Sequence, residues 1–380
     1  MDLTENRTRI DKIDSQLIKL FQERMTVSAD IAAYKKEHGL PVYDPRRERE
    51  KQVAVAEQTP EELREYVTPL YSLLFDLSRS YQRRLIGGDS VLTEKIKAAI
   101  ENTPKLFPEY ASVACQGVEG ANSQLACDRL FRNANIMFFS SFDAIFTAIE
   151  KGLCRYGIIP IENTTAGTVN TVYDLMMNHH FSIVRSLWLK IDHDLLAKPG
   201  ARLSDIKEVY SHEQAINQCA GFLRKLAGVK VIPVENTAVA AKMVAESERK
   251  DIAAIASRQC TKYYDLASLA QSIQDESRNS TRFICISKDL EIYPGADRTS
   301  LMAVLPHEPG SLYKMLSILY SLGINLNKLE SRPLPNRDSE FMFYFDLDAS
   351  VYSPRFQQLI SELSSTYEVF SYLGSYSEVR

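Results

Sequence analysis

Three short apolar stretches of this sequence each end in a group of small polar or ionisable side chains. The groups are Glu162, Asn163 and Thr164 after the first stretch, Ser211 and Gln214 after the second, and Glu235 and Asn236 after the third. In open α/β sheets, ligands bind in the crevice beyond the carboxyl ends of the strands. Capping of the following helices would explain any one group, but three groups in one region favour a substrate cleft.

A second set of candidates lies in the first ninety residues. Arg24 and Lys35 are eleven residues apart, which on one helix puts them on a shared face about 16 Å apart, close enough for both to reach a small anion. Arg7 lies about 25 Å before Arg24 along such a helix, so it cannot easily serve the same site but could reach the site of a second, antiparallel copy. Two further polar pairs have helical or adjacent spacing: Arg47 with Glu48, and Ser78 with Gln82. On spacing alone, a solvated charged surface is the simpler explanation.

The apolar pattern predicts the helices that must hold these residues. A helix over residues 4–38 is capped by Thr4 and ends at Gly39. The later boundaries are Asp44-Pro45, which starts a second helix, Thr68-Pro69, which restarts or kinks a third, and Gly87-Gly88, which ends it. The first helix is long for a globular protein, and three helices make a thin core. We therefore expect an intertwined dimer.

From about Ser112, short β-rich runs alternate with helical segments, which is typical of α/β layers with largely parallel sheets. Residues 287–298 are predicted to be a linker, and the tail has the order of a βαββαβ sandwich. The predicted division is a helical domain over 1–88, a linker over 89–110, an α/β domain over 111–286, the linker 287–298, and a tail domain over 299–380.

Composition excludes several classes of protein. The 380 residues carry a net charge of −4 without a basic block, so no nucleic-acid partner is expected. No apolar stretch has membrane-spanning length and the N-terminus is polar, so we expect a cytoplasmic protein without a membrane partner. The six cysteines lack a C-x-x-C pair and are interpreted as reduced thiols. The histidines lack ligand spacing, so no metal is expected.

Several motifs resemble known families. The helical residues that resemble the all-helical chorismate mutases, in type and order, are Arg7, Arg24, Lys35, Asp44, Arg47, Glu48, Ser78 and Gln82. Residues 157–177 (GIIPIENTTAGTVNTVYDLMM), 210–219 (YSHEQAINQC) and 279–283 (NSTRF) resemble prephenate dehydratases. Residues 307–312 (HEPGSL) and 329–333 (LESRP) are similar to the ligand-binding motifs of ACT domains. The resemblance to bifunctional chorismate mutase–prephenate dehydratases spans nearly the whole chain. One loop departs from it: GVEGANSQ at 117–124 replaces the family's G-P-x-G-S-aromatic-S.

This resemblance implies a multidomain protein: a three-helix mutase domain as an intertwined dimer, a two-lobed dehydratase domain like periplasmic binding proteins, and an α+β ACT domain. Rearrangement of chorismate to prephenate is pericyclic, so no cofactor is expected. It needs only binding of the compact conformer and stabilisation of charge on the ether oxygen. By resemblance, Arg24, Arg47 and Arg7 of a second copy bind carboxylates. Lys35 and Gln82 donate to the ether oxygen. Asp44, Glu48 and Ser78 position the hydroxyl and its neighbours.

Conversion of prephenate to phenylpyruvate expels carbon dioxide and the ring hydroxyl. By resemblance, Thr281 is the key residue, Arg282 and Phe283 shape the site, and Asn163, Ser211 and Gln218 bind substrate. Because a threonine hydroxyl is a very weak acid, Thr281 could simply orient the leaving group. Glu162 or Glu235 would then supply the proton.

The tail resemblance implies feedback inhibition by L-phenylalanine. Gly310 would let backbone amides approach the ligand's carboxylate, with Ser311 and Leu312 beside it. Glu330, Ser331 and Arg332 of a second copy would complete the site.

Alternatives stay open at this point. The lobes and tail would also suit a non-catalytic amino-acid sensor, although the spacing of the helical residues would then be coincidental. A dehydratase that prefers arogenate would share the same motifs. The sequence leaves open whether the homodimer forms a tetramer, and whether prephenate passes directly between the sites.

Overall fold

The computed structural model describes residues 2–86, 91–226, 228–334 and 340–379. It divides into two compact units. A helical unit comprises Met1–Thr93 with Ile360–Thr366, and a sheet unit comprises Glu94–Leu359 with Tyr367–Arg380.

The helical unit is built on α1 (Leu3–His38), α2 (Pro45–Glu57) and α3 (Arg64–Ile86). The cap of α1 is Asp2, not Thr4 as predicted, because the Glu5 carboxylate accepts the Asp2 N–H at 3.2 Å and the helix starts one residue earlier. Gly39 ends α1 at φ 62°, as predicted.

The later boundaries agree in part with the prediction. Asp44 caps α2 by accepting the Arg47 N–H at 3.0 Å. Pro69 lies inside α3, so the predicted restart there is wrong; a 3₁₀ turn at Glu61–Leu63 leads into the helix instead. The predicted end at Gly87-Gly88 lies outside the described residues.

Helix α1 leaves much of its apolar pattern uncovered within one chain. Ile10, Leu17, Leu20 and Val27 are 56%, 56%, 61% and 52% exposed. Burying such side chains would be worth about 1.5–3 kcal/mol each. The long helix therefore presents an apolar surface that the rest of this unit does not cover.

The sheet unit alternates short strands and helices. Its first half contains α4 (Val91–Asn102), β1 (Tyr110–Gln116), α5 (Asn122–Leu130), β2 (Asn133–Phe139), α6 (Phe142–Glu150), β3 (Tyr156–Asn163), β4 (Gly167–Thr168), α7 (Asn170–Met176) and β5 (Ser182–Lys190). A second run contains β6 (Asp194–Ala197), β7 (Glu208–Ser211), α8 (Glu213–Gln218), α9 (Ala220–Leu223), β8 (Lys230–Pro233), α10 (Thr237–Glu246), β9 (Ile252–Ala256), α11 (Cys260–Tyr264), β10 (Ala267–Ala270) and β11 (Ser280–Ser287).

The tail has the predicted βαββαβ order. It contains β12 (Arg298–Leu305), α12 (Ser311–Ser321), β13 (Asn325–Pro333), β14 (Phe341–Asp348), α13 (Pro354–Thr366) and β15 (Phe370–Val379). The segment predicted to be a linker, 287–298, is packed: Ile292, Tyr293 and Ala296 are buried.

The strands form two sheets, in the orders β13-β14-β12-β15-β5-β11-β3-β1-β2 and β10-β6-β9-β7-β8. Both sheets are mixed, so the prediction of largely parallel sheets is only partly right. Strands β1, β2 and β3 are parallel, but β11 runs antiparallel to both β3 and β5. The tail strands continue the larger sheet, because β15 pairs with β5 over Ser377–Val379.

The six cysteines are free and buried. Within the described ranges, no helix is long and apolar enough to cross a membrane. In the same ranges, no group of three His, Cys, Asp or Glu side chains is placed to hold a metal ion.

Candidate active sites

A cavity of about 370 Å³ opens where the ends of several strands and helices of the sheet unit meet. Its polar lining includes Asn163, His193, Gln218, Glu235, Asn279 and Thr281. Side chains from the ends of β3 and β11, in one sheet, meet residues that follow β7 and β8, in the other. The cleft predicted from the three polar groups is therefore present.

Strand pairing decides which predicted residues face this cleft. Thr281 of β11 is the cross-strand partner of Asn163 of β3, and Arg282 is the partner of Glu162. Successive side chains of a strand point to opposite faces. Asn163 and Thr281 line the cleft, whereas Glu162 and Arg282 face the other side of the sheet.

A register shift lets a second pair face the cleft as well. Phe283 pairs with Pro160, which leaves Ile161 as the extra residue of β3. Both Phe283 and Pro160 line the cavity.

Glu162 and Arg282 bind the tail strands and not the cleft, which corrects two sequence predictions. Glu162 lies 3.2 Å from the Nζ atom of Lys328 in β13. Arg282 is 4% exposed, binds Asp346, and lies 3.1 Å from Glu378. Burial lowers the pKa of Arg282, but Tyr376 and Asp346 outweigh this effect and hold it above the ordinary value.

The prediction that Ser211 binds substrate is also corrected by the structure. It is fully buried, and its hydroxyl donates to the Ile255 carbonyl at 2.7 Å, which braces β7 against β9. Three other residues predicted for this site do line the cavity: Gln218, Glu235 and Phe283. Asn236 also lines it while capping α10, so the capping interpretation holds there too.

Asn163 makes the Thr281 hydroxyl the acceptor of a hydrogen bond. Its Oδ1 atom accepts the backbone N–H groups of Thr165 and Ala166 at 3.0 and 2.8 Å. Its Nδ2 atom donates to the Thr281 hydroxyl at 2.9 Å and to Asn279 at 2.8 Å. The Thr281 hydroxyl thus receives a hydrogen bond, and its own proton can point to a ligand.

His193 and Asn279 line the cleft but were not selected from the sequence. Asn279 opens the NSTRF motif, so its position gave a signal. His193 is 3% exposed between β5 and β6 and lies in no recognised motif, so only the structure identifies it.

The helical unit brings together Arg24 and Ser78, from α1 and α3. The Arg24 guanidinium donates to the Ser78 hydroxyl and, at 3.1 Å, to the Leu74 carbonyl. Burial lowers the pKa of Arg24, and Tyr71 opposes this effect. Gln82, one turn beyond Ser78, is 7% exposed, and its Oε1 atom has no hydrogen-bond partner in the part of the chain described.

Lys35 lies near the acidic residues of α2. Its Nζ atom donates to the Val42 carbonyl at 2.6 Å. Burial lowers the pKa of this ammonium, while Asp44 and Glu48 act in the opposite direction. Glu48 also binds Arg79, which the sequence prediction did not include.

Two predicted cations stay apart from this group. Arg47 is exposed and lies 3.8 Å from Glu50. Arg7 is exposed on α1, seventeen residues before Arg24 on the same continuous helix. One chain therefore supplies only part of the predicted set.

The tail contains a second cavity of about 370 Å³, lined by Ser311 and Leu312 together with Phe341 and Phe343. Gly310 precedes α12 at φ 87°, a left-handed conformation that favours glycine.

Within the same chain, two of the predicted effector residues bind other groups. Glu330 accepts the Thr168 hydroxyl at 2.8 Å, and Arg332 binds Asp174 at 2.7 and 2.9 Å. Ser331 lies between them on β13 and is exposed.

Comparison with known proteins gives two family matches in this chain. Residues 6–83 match the model of chorismate mutase type II, and residues 113–291 match the model of prephenate dehydratase.

Individual relatives agree with these matches. The bifunctional chorismate mutase/prephenate dehydratase of Aquifex aeolicus is 32% identical over 376 residues, covering 99% of this chain and 98% of that protein. Arogenate dehydratase 2 of Petunia hybrida is 38% identical over 281 residues, covering 70% of this chain and 71% of that protein. The crystal structure of prephenate dehydratase from Arthrobacter aurescens in complex with L-Phe is 27% identical, with a TM-score of 0.64, covering 70% of this chain and 90% of that one.

The two matched segments fall on the two groups of side chains described above, and the Aquifex relative aligns from end to end. This chain belongs to the family of bifunctional chorismate mutase/prephenate dehydratases.

Proposed function

We propose that the two activities of this enzyme reside in two separate groups of side chains, one in each unit. Chorismate is rearranged to prephenate at the helical group that contains Arg24, Lys35 and Gln82. Prephenate is then converted to phenylpyruvate in the cleft that contains Asn163 and Thr281. The observation that carries the second assignment is the Asn163–Thr281 pair in the cavity lining, which leaves the threonine proton available to a ligand.

Dehydration requires that electrons of the carboxylate–ring bond move into the ring as carbon dioxide leaves. The ring carbon–oxygen bond breaks, and the departing hydroxyl takes a proton to become water. We assign orientation of that hydroxyl to Thr281 and supply of the proton to Glu235, the carboxylate of the cleft lining. Glu162 is not assigned a part in this step, because it is paired with Lys328 on the opposite face of the sheet.

In the mutase reaction, Arg24 and Lys35 are partly buried cations that suit the substrate's carboxylate and ether oxygens. Gln82 offers an amide whose Oε1 atom lacks a partner in the described chain, so the group can adapt to substrate. Arg47 is assigned to a carboxylate, and Asp44, Glu48 and Ser78 to positioning.

A second copy completes the mutase site. The exposed apolar residues of α1 would be covered by the same helix of an antiparallel partner. That arrangement would bring Arg7 of one copy towards Arg24 and Lys35 of the other. We therefore propose an intertwined homodimer.

The tail is proposed to be an ACT domain that binds L-phenylalanine. Gly310, Ser311 and Leu312 lie at one end of α12 beside a cavity with aromatic lining. The Arthrobacter relative crystallised with L-Phe supports this choice of ligand. Glu330, Ser331 and Arg332 would contribute from a second copy, which requires Glu330 and Arg332 to leave their present partners.

Arogenate is a second candidate substrate for the cleft, since the Petunia relative is an arogenate dehydratase. Purified protein supplied with chorismate should form prephenate and then phenylpyruvate. Equal amounts of prephenate and arogenate, offered together, test the preference: faster release of phenylpyruvate supports prephenate, and faster release of phenylalanine supports arogenate.

A further inference from the structure

His193 is a buried polar side chain of the cleft to which the proposed mechanism assigns no role. It is 3% exposed, and its Nε2 atom lies 3.1 Å from the Oε1 atom of Gln218. Its Nδ1 atom is buried without a hydrogen-bond partner among the described residues. A series of hydrogen bonds that begins at backbone N–H groups determines which ring nitrogen carries the proton.

The backbone fixes the orientation of the first side-chain amide in this series, that of Asn163. The N–H groups of Thr165 and Ala166 can only donate, so the Asn163 atom that faces them is the oxygen. The Asn163 nitrogen must then donate to both Asn279 and Thr281. Thr281 accepts in this bond, which keeps its own proton free.

The orientation of the Asn163 amide in turn fixes the orientations of the Asn279 and Gln218 amides. Because Asn279 presents its oxygen to Asn163, its nitrogen donates to the Gln218 oxygen at 3.0 Å. The Gln218 nitrogen faces the other way and donates to Thr165 at 2.7 Å. The His193 atom that faces the Gln218 oxygen must therefore be a donor, which is Nε2–H.

Resting on the proposed role of Thr281, we propose that His193 is a positioning residue of the dehydratase site. Its Nε2–H donates to the Gln218 oxygen and so holds the Gln218 and Asn279 amides in the orientation that matches the one the backbone imposes on Asn163. In that arrangement the Asn163 nitrogen donates to Thr281, which leaves the Thr281 proton free for the departing hydroxyl. Reversal of the Gln218 amide would face nitrogen to nitrogen at Asn279.

The surroundings of His193 agree with a neutral ring that carries one proton. Burial lowers the pKa of His193, although the Gln218 hydrogen bond and the charges of Asp192 and Asp194 oppose this effect. Both carboxylates have other partners: Asp194 binds Arg258 and Ser268, and Asp192 accepts from Gln274.

Two substitutions of His193 test the roles of its two ring nitrogens separately. The amide nitrogen of His193→Gln can reach the place of Nε2, whereas that of His193→Asn reaches only the place of Nδ1. We expect His193→Gln to keep kcat for prephenate within about threefold, and His193→Asn to lose about 10- to 100-fold in kcat, the effect of one unpaired buried group. The KM for prephenate should change little, because neither variant removes a proposed substrate contact. Mutase activity should stay unchanged in both.

The ring tautomer of the wild-type protein gives a readout that needs no variant. Nitrogen chemical shifts measured by NMR should report His193 as neutral with the proton on Nε2. A proton on Nδ1 would overturn the proposal, as would full dehydratase activity in His193→Asn. If both variants lose kcat, the tautomer of the wild-type protein decides: a proton on Nε2 supports the proposal, and a proton on Nδ1 overturns it. Wild-type protein that fails to convert prephenate would instead refute the proposed function itself.

Discussion

The Thr281 hydroxyl accepts a hydrogen bond from Asn163 at 2.9 Å, and among the described residues it donates to none. This is the state that a hydroxyl needs if it is to donate to a leaving group. Its neighbour Arg282 points the other way and is bound by Asp346 and Glu378. At the scale of residues, adjacent members of one motif therefore differ in their surroundings: Thr281 lines the cleft, and Arg282 pairs with carboxylates on the other face of the sheet.

Removing the hydroxyl from Thr281 tests this assignment. Thr281→Val keeps the shape of the side chain but cannot donate, so we expect kcat for dehydration to fall by about 100-fold or more. Thr281→Ser keeps the hydroxyl and should stay within about tenfold of wild type. Steady-state assays with prephenate measure both, and near-normal turnover by Thr281→Val would remove Thr281 from the mechanism.

At the scale of elements, local pattern predicted much of the fold. The long α1, the cap at Asp44, the polar ends of the strands and the βαββαβ tail are all visible in the sequence, because they depend on neighbours within a few residues. Pairing over long distances is not visible in this way. Arg282 and Asp346 are 64 residues apart, and nothing local indicates that they meet.

The facing of individual strand residues was the main error. Alternation predicts that Glu162 and Asn163 point in opposite directions, but it does not say which one faces the cleft. The extra residue at Ile161 also shifts the pattern, since Pro160 and Asn163 both reach the cavity. Ser211 was misassigned for a related reason: a strand-end hydroxyl can serve the backbone as readily as a ligand.

The turn before α12 gives a prediction at this scale. Gly310 has φ 87°, and a Cβ atom added there would meet no heavy atom within 4 Å, so Gly310→Val strains the backbone while its Cβ atom has open space. We expect weaker L-phenylalanine binding in calorimetry and loss of inhibition, with dehydratase activity retained in the absence of phenylalanine. Gly200→Val is the matched control, since Gly200 has φ 84° and equally open surroundings. Undiminished inhibition in Gly310→Val would place the effector elsewhere.

At the scale of the whole molecule, the exposed apolar residues of α1 argue for a second copy. Leu17 lies in the middle of that helix and is 56% exposed in one chain. Leu17→Glu would put charges into the proposed interface, whereas Gln16→Glu adds the same charge one position along the helix. We expect Leu17→Glu to shift the protein towards monomer in sedimentation and to lower mutase activity. Gln16→Glu should behave as wild type, and a fully dimeric, active Leu17→Glu would contradict the intertwined arrangement.

The two activities are proposed to reside at two separate sites of this protein. The most direct measurement supplies chorismate to Thr281→Val and follows prephenate and phenylpyruvate together. If the sites are separate, chorismate disappears at the wild-type rate and prephenate accumulates in its place, with little phenylpyruvate formed. Failure of the folded variant to consume chorismate would contradict the account, because a change in the cleft would then have abolished the mutase reaction as well.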